Sequence, residues 1–193
     1  MTLGGGGGLA SIPVFDDGAY NDAGGYHYQW FHFAIRERIA AQNGNADNHV
    51  MWRGPVQAAP AWEVFVKWVA TGQKPAEAVD GCWIAEPGKP AEFVAEHQTF
   101  GSKPDSTCNR AYPSYSFARR VAGGPLDANT LKCQLKSIVA KDYAVPLTSS
   151  ELDRLRNIFP GGVCDWSKRG SNQMRVVPWA SFGPAPENFI SNR

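Results

Sequence analysis

The sequence lacks several features that would assign it to a well-defined functional class. No apolar run in its 193 residues is long enough to span a membrane. Its 19 basic and 18 acidic residues are interspersed and leave a formal net charge of +1, without the basic stripe of a nucleic-acid binder or the basic cluster of a membrane anchor. Since hydrophobic residues make up 43%, we predict a folded globular protein that binds neither nucleic acid nor a membrane.

Motifs for cofactors and metals are also missing. The glycine run Gly4–Gly8 is not followed by the Lys-Ser or Lys-Thr of a phosphate loop, and we interpret it as a linker or close-packed turn. The alternative is that its backbone N–H groups face an oxyanion. The four histidines are scattered without carboxylates at ligand spacing, so we predict no cofactor and no catalytic metal. Calcium near Asp16, Asp17 and Asp22 is a weaker alternative.

A serine nucleophile is not recognisable. No G-x-S-x-G elbow occurs, and Ser114 and Ser116 lack the flanking glycines that such a tight turn needs. No cysteine has a convincing histidine partner in the sequence. If the chemistry is serine hydrolysis, we expect the serine to lie upstream of Met1 or on another chain.

The four cysteines indicate disulfides rather than a zinc site, because no C-x-x-C pair occurs. Three pairings are open, and we favour Cys82–Cys108 with Cys133–Cys164 because these close the shortest loops. The alternative is four buried free thiols. Disulfides predict a secreted or periplasmic location, yet the chain begins without a signal peptide. We therefore expect a truncated, processed or recloned piece of an exported protein.

The pattern of apolar residues in 1–72 predicts a partial α/β layer. Ser11–Phe15 is typical of a short strand, and helical spacing of apolar residues predicts a helix over 28–42. A second strand over His49–Trp52 and a second helix over Ala58–Ala70 follow. The order strand–helix–strand–helix is typical of parallel α/β proteins.

Residues 73–193 predict a loop-rich, disulfide-stapled α+β tail that packs on this layer. Thr148 to Glu151 form a capping box, and a helix should follow with four apolar residues buried, namely Leu152, Leu155, Ile158 and Phe159. A weaker helix is predicted near Pro125, with Leu131 and Leu135 facing inward, and a last strand is predicted over Met174–Phe182.

The carboxyl end of the first strand is the predicted site, because ligands of parallel sheets gather at that edge. Asp22 and His27 lie there, and Asp16 and Asp17 are weaker candidates. A helix N-terminus would keep the His27 imidazole neutral, as a general base requires, and Asp22 would orient its ring. The alternative is that the acidic residues cap turns and that His27 is a surface residue.

The other histidines have different expected roles. His49 opens the second strand and is the third catalytic candidate, because it could approach the same edge. His32 lies five residues beyond His27 on the predicted helix, so the two cannot share a face. We predict that His32 is a helix-surface or core histidine and that His97 is structural or exposed.

Several peptide stretches together resemble a known family. They are GNADN at 44–48, TCNR at 107–110, YPSYS at 112–116, CQLK at 133–136 and FPGGVCDWSK at 159–168. They resemble the C-terminal part of large exported bacterial proteins of unknown function that are grouped with α/β hydrolases, near tannase-like and polyester-depolymerase-like esterases. The resemblance runs from about Leu3 to Gly183.

The resemblance implies an α/β-hydrolase fold whose nucleophile lies in a preceding segment absent from this chain. It also implies that Tyr20–His27 borders the active site. We therefore expect the C-terminal portion of a secreted ester-cleaving protein, which supplies the His/Asp side of the site and acts on an ester-type substrate. Its partner would be an upstream hydrolase segment or a second subunit. The alternative is a non-catalytic binding or structural module for a polymer or partner chain, which a row of exposed Trp83, Trp166 and Trp179 would support.

Overall fold

The computed structural model describes residues 12–101, 106–143 and 145–173. The first part contains, in chain order, β1 Val14–Ala19, α1 Trp30–Asn43, β2 His49–Gly54, α2 Ala58–Thr71, β3 Gly81–Ile84 and β4 Glu92–Ala95. The described part after residue 105, which we call the tail from here on, contains α3 Thr107–Ala111, α4 Ala118–Val121, β5 Leu135–Lys136, α5 Ser149–Ile158 and β6 Val163–Cys164. The fold is mixed α/β with long loops.

Four strands form one mostly parallel sheet in the order β1-β2-β3-β4. β1 pairs with β2 and β2 with β3 in parallel, whereas β4 is antiparallel to β3. The strand–helix–strand–helix prediction is confirmed, although the first strand extends to Ala19, beyond the predicted end at Phe15. The sheet includes strands on both sides of Gly72, and the two-part division at that residue stays a prediction.

The sheet face beneath α2 is apolar. Val50 and Trp52 of β2 pack against Ala61 and Trp68 of α2, and Phe15 of β1 joins this cluster. The Phe15 and Trp52 rings meet edge to face with centroids 4.8 Å apart. Alternation along the strands places these residues on one face, so this is the hydrophobic core of the domain.

The opposite face, beneath α1, combines apolar and polar groups. Met51 of β2 is buried there, and the buried residues of α1 are Phe33, Ala34 and Ile39. The β2 residues that alternate with Val50 and Trp52 include His49 and Arg53, both almost fully buried. They contact α1, since Arg36 donates to His49 and the Arg53 guanidinium lies 5.4 Å from the Phe33 ring centroid. The sheet is therefore covered on both faces, by a hydrophobic layer on one side and by a mixed layer of apolar and charged groups on the other.

Two disulfides fasten the tail, with the pairing that loop length favoured. Cys82–Cys108 joins β3 to α3, with Cα atoms 5.7 Å apart. Cys133–Cys164 joins the ends of the two-stranded ribbon formed by β5 and β6, with Cα atoms 5.3 Å apart. The alternative of four free thiols is wrong.

The prediction of a helix near Pro125 is wrong. Residues 122–134 form turns, bends and irregular loop, and Leu131 and Leu135, which were expected to face inward, are 63% and 54% exposed. Ala128 has a left-handed backbone, φ 50°, which an α-helix cannot include. The strand predicted over Met174–Phe182 and the glycine run Gly4–Gly8 lie outside the described residues.

The capping box of α5 is confirmed. The Thr148 hydroxyl accepts from the Glu151 backbone N–H, and the Glu151 carboxylate accepts in return from the Thr148 backbone. The buried stripe expected on this helix is only partly right, because Ile158 and Phe159 are exposed while Leu152 and Leu155 are half-buried. The helix lies on the surface of a small tail, which offers too little area to cover its last turn.

Candidate functional site

The carboxyl ends of β1 and β2 lie side by side, as their parallel pairing requires. Ala19 is in register with Gly54, and the Tyr20 N–H donates to the Gly54 carbonyl at 3.2 Å. The loop of residues 20–29 leaves the sheet at this edge and leads into α1. Both of the first two catalytic candidates, Asp22 and His27, lie on this loop.

Asp22 is fully buried and holds the loop in place. One carboxylate oxygen accepts from the Gln29 backbone N–H at 2.6 Å, just before α1 begins. The other accepts from the Tyr115 backbone N–H at 2.7 Å, far along the chain. Asp22 therefore ties together the loop, the helix and the tail, and these two contacts engage both of its oxygens.

His27 is exposed and stands on strained backbone. Its φ is 47°, in the left-handed region that non-glycine residues rarely adopt. Its ring contacts the Tyr26 ring edge to face, with centroids 5.3 Å apart. The helix was predicted to begin at about Tyr28, but α1 begins at Trp30, so His27 lies in the loop before the helix. Residues held in sparsely populated backbone conformations cluster at functional sites.

Arg53 anchors the tail to the same edge. Only 1% of this residue is exposed, and its guanidinium donates to Gln98, to Asn109, to the Tyr112 carbonyl and to the Ser114 hydroxyl. Burial lowers the pKa of Arg53 to about 10, despite the nearby carboxylates. All four direct partners are neutral.

We call residues 109–115 the latch. Besides Arg53 and Asp22, the latch is fixed by Tyr20, whose hydroxyl donates to the Pro113 carbonyl at 2.8 Å. Tyr112 in turn donates its hydroxyl to the Trp83 carbonyl of β3 at 2.5 Å. The latch forms a wall beside the loop of residues 20–29, and the Cys82–Cys108 disulfide ends one residue before it.

A histidine–carboxylate pair that the sequence did not predict lies under α1. Nδ1 of His32 is 2.7 Å from both carboxylate oxygens of Asp16. The imidazole packs over Gly18, where an added Cβ would come within 2.9 Å of the ring. Glycine at this position makes room for the pair. Their side chains are 26% and 16% exposed, so the pair is shielded from solvent but not sealed.

The His32–Asp16 pair predicts a pH dependence of stability. Burial alone would raise the pKa of Asp16, but the hydrogen bond from His32 and the nearby His49 ring lower it to about 2. Burial likewise works to lower the pKa of His32, and the bond to Asp16 outweighs it and raises that pKa. The stabilisation from Asp16, about 2 kcal/mol, is present above pH 3.8 and lost towards pH 2. The stabilisation from His32 is complete below pH 6.5, and it is lost as the pH rises through the raised pKa of His32.

We therefore expect His32→Gln to destabilise the protein more at pH 5 than at pH 9. Urea unfolding at both pH values measures the difference. His27→Asn is the matched control, because the exposed His27 has no carboxylate contact among the described contacts, and its effect should not change in this way. A loss for His32→Gln that is equal at the two pH values, or larger at pH 9, would contradict the assignment.

The third catalytic candidate, His49, is buried in the same polar layer. Its Nδ1 accepts from Nε of Arg36 at 2.9 Å, so the proton of the neutral ring sits on Nε2. That Nε2 is 3.7 Å from the Asp16 carboxylate. The His49 side chain has no exposed surface, and its Nε2 is buried without a hydrogen-bond partner among the described contacts.

Asp80 completes the layer. Its carboxylate receives two hydrogen bonds from Arg36, at 2.5 and 2.7 Å, and one each from the backbone N–H groups of Met51 and Gln98. Burial acts to raise the pKa of Asp80, but the Arg36 guanidinium holds it below its usual value. His97, which is 77% exposed, lies 3.1 Å from the same carboxylate. The result is a continuous chain of contacts in the order His32, Asp16, His49, Arg36, Asp80, His97.

The end of this chain opens into a cleft of about 460 Å³ whose lining includes Asp47, Lys74 and His97. It lies at the amino end of β2, away from the edge that carries His27, and the buried charges around it are paired with one another. Across residues 12–101, 106–143 and 145–173, no three His, Cys, Asp or Glu side chains are placed to hold a metal ion.

Sequence reasoning missed His32, Arg36, Arg53 and Asp80. The sequence did contain a signal for His32, because Asp16 and Gly18 lie on the same face of the first strand and the glycine leaves room for an imidazole ring. No comparable signal marked the others. The row of exposed tryptophans that would favour a binding module is not observed, because Trp83 packs against Trp52 and Phe93 and Trp166 is half-buried. Trp179 lies outside the described residues.

Comparisons with known proteins give one result. The model of a tannase-like family of unknown function (DUF6351) matches residues 1–175. Searches of curated proteins and of solved structures find no match. In the part of the chain that the structure describes, no helix has the length and apolar character needed to cross a membrane.

Proposed function

Since the chain belongs to this tannase-like family, we propose that it is the C-terminal portion of an ester-cleaving α/β hydrolase, with its site at the carboxyl edge of β1 and β2. The observation that carries the proposal is His27, an exposed imidazole on strained backbone at the edge where parallel sheets bind substrates. Family membership supports the esterase class, and the geometry supports the position of the site.

The proposed roles follow from the contacts. His27 is the general base, which takes the proton of the attacking hydroxyl and returns it to the leaving alcohol. Asp22 is a positioning residue, because its carboxylate holds the loop rather than the imidazole. His49 is the weaker candidate for the base, since its Nδ1 already accepts from Arg36 and its ring is buried.

The nucleophile belongs, in this proposal, to a preceding segment or a second subunit. Among the described strands β1 pairs on one side only, so its outer edge is open for another strand. Exposed apolar residues on both flanking helices support such a neighbour. They are Phe31 and Ile35 on α1, and Trp62, Val66 and Val69 on α2, which are between 36% and 65% exposed.

The two disulfides are compatible with a secreted or periplasmic enzyme, which is the location we propose. An ester polymer or another extracellular ester would be available there. The disulfide-fastened tail would then act as a buttress beside the site.

The test is hydrolysis of p-nitrophenyl esters by the chain together with a nucleophile-bearing upstream segment. His27→Asn keeps a residue that tolerates left-handed backbone but removes the base, and we expect kcat to fall roughly 100-fold. His97→Asn is the matched control, because His97 is also exposed but lies away from the edge. It should retain full activity.

A third variant separates the two candidate bases. In His49→Gln the side-chain oxygen can accept from Arg36 and the amide can face Asp16, so the layer is preserved without a base. Activity that is lost in His49→Gln and kept in His27→Asn would transfer the role to His49. No hydrolysis by the wild-type pair, with complex formation confirmed, would contradict the ester-hydrolase proposal.

A further inference from the structure

The near-neutral whole chain conceals a division of charge. Residues 12–101 contain six Lys or Arg against eleven Asp or Glu, a net charge of −5. The described residues from 106 to 173 contain ten against five, a net charge of +5. The prediction that acidic and basic residues are evenly interspersed is therefore wrong for the two halves taken separately. The α/β half is acidic and the tail is basic.

Three tail segments bring part of this positive charge together. The Arg119 guanidinium donates to the Thr130 carbonyl at 2.7 Å, which joins α4 to residues 130–134. The Ser171 N–H donates to the Lys132 carbonyl at 2.7 Å, and Gln134 donates to the Arg169 carbonyl at 2.9 Å. These bonds join residues 130–134 to residues 165–171. We define the basic face as five exposed side chains of these segments, namely Arg119, Arg120, Lys132, Lys168 and Arg169.

Two neighbouring carboxylates, Asp165 and Asp127, offset only part of the charge of the basic face. Asp165 is only 7% exposed, accepts from the Ser167 hydroxyl and pairs with Lys168 at 3.2 Å, so it balances one of the five cations. Asp127 is half-buried and accepts from the backbone and side chain of Asn129. Lys132 and Arg169 are exposed, and with Arg119 and Arg120 they leave the face with a net positive charge.

An aromatic ring lies within the basic face. The Trp166 indole is half-buried, and its Nε1 donates to the Ala122 carbonyl at 2.9 Å. Its ring packs on the backbone of Gly123 and Gly124, where an added Cβ at Gly124 would be 3.3 Å away. Arg120 donates to the carbonyl of Gly124, one of the two glycines on which the indole packs. Such a surface could bind a ligand that carries both negative charges, which pair with the cations, and sugar rings, which stack on the indole.

We propose that the basic face binds an acidic polysaccharide, with its carboxylates paired to the cations and a sugar ring stacked on Trp166. The acidic α/β half would be repelled by the same polymer, so the protein would bind it in one orientation, tail first. A polysaccharide suits this surface better than duplex DNA, because the basic face presents no long helix or ribbon to a groove. The inference goes beyond the proposed esterase function and does not depend on it.

The experiment is retention on immobilised polygalacturonate over a range of salt concentrations, with neutral dextran as the reference. We expect the full chain to bind polygalacturonate and not dextran. Lys132→Gln with Arg169→Gln should weaken binding roughly tenfold and reduce the slope of log affinity against log salt by about two. Trp166→Leu should weaken binding without changing that slope.

The matched control is Lys67→Gln with Lys89→Gln, two exposed cations of the acidic half, and its affinity should equal that of the wild type. Equal retention on dextran, or unchanged binding by the Lys132/Arg169 variant, would overturn the proposal. A short DNA duplex and anionic lipid vesicles test the other polyanions. Tighter binding of either one at the same salt concentration would overturn the assignment to a polysaccharide.

Discussion

Asp80→Ala is expected to lower the free energy of unfolding by about 3–5 kcal/mol. The carboxylate of Asp80 is the direct partner of Arg36, whose side chain is only 12% exposed, and it also accepts from two backbone N–H groups of the sheet region. Without it a buried guanidinium loses its counter-charge, and the Met51 and Gln98 N–H groups lose their acceptor. Urea unfolding followed by circular dichroism measures the loss.

Two further variants test this interpretation. Asp47→Ala removes an exposed carboxylate that lines the same cleft, and it should change stability by less than about 0.5 kcal/mol. Arg36→Met combined with Asp80→Leu removes both charges, and it should be more stable than Asp80→Ala alone. If Asp80→Ala cost no more than Asp47→Ala, Asp80 would not be the centre of the polar layer.

Removal of the Cys82–Cys108 disulfide by alanine substitution of both cysteines should cost about 3–4 kcal/mol. The two cysteines are 26 residues apart, and both are fully buried, so alanine leaves no unpaired polar group. The loss should be accompanied by loosening of the latch, because α3 carries Asn109, a partner of Arg53. Amide hydrogen exchange of residues 109–115 would detect this.

The second disulfide provides the comparison. Cys133 and Cys164 are 31 residues apart and half-buried, and they join only the short β5–β6 ribbon. Their removal should cost a similar free energy but leave exchange in the latch unchanged. Under mild reduction without denaturant, Cys133 and Cys164 should be alkylated first, because a thiolate reaches them more easily. Alkylation of Cys82 and Cys108 first would contradict this order.

The three longest helices, α1, α2 and α5, the strands β1 and β2 and the disulfide pairing were predictable because each depends on residues close in the sequence. Apolar residues at helical spacing fixed α1 and α2, and the Thr148–Glu151 capping box fixed the start of α5. The prediction of a helix after Pro125 was wrong. It rested on a few apolar residues, whereas Ala128 has a left-handed backbone conformation that a helix cannot include.

The polar layer was less predictable because it is assembled from residues far apart in the chain. Arg36 and Asp80 are 44 residues apart, and Arg53 reaches partners 45 to 61 residues away. His32 was interpreted as a surface or core histidine, which described its place but not its carboxylate partner. The expectation that Asp22 orients His27 rested on their nearness in sequence, whereas the carboxylate of Asp22 turns inward to two backbone N–H groups.

The contrast between the two faces of the sheet has a thermal consequence. Unfolding exposes apolar surface from both faces, which raises the heat capacity, and it also exposes the buried polar groups beneath α1, which lower it. The two contributions oppose each other, so the heat capacity change should be smaller than in a domain of this size with two apolar faces. A smaller change flattens the curve of stability against temperature. The charged layer beneath α1 would thus broaden the range of temperatures over which the fold persists.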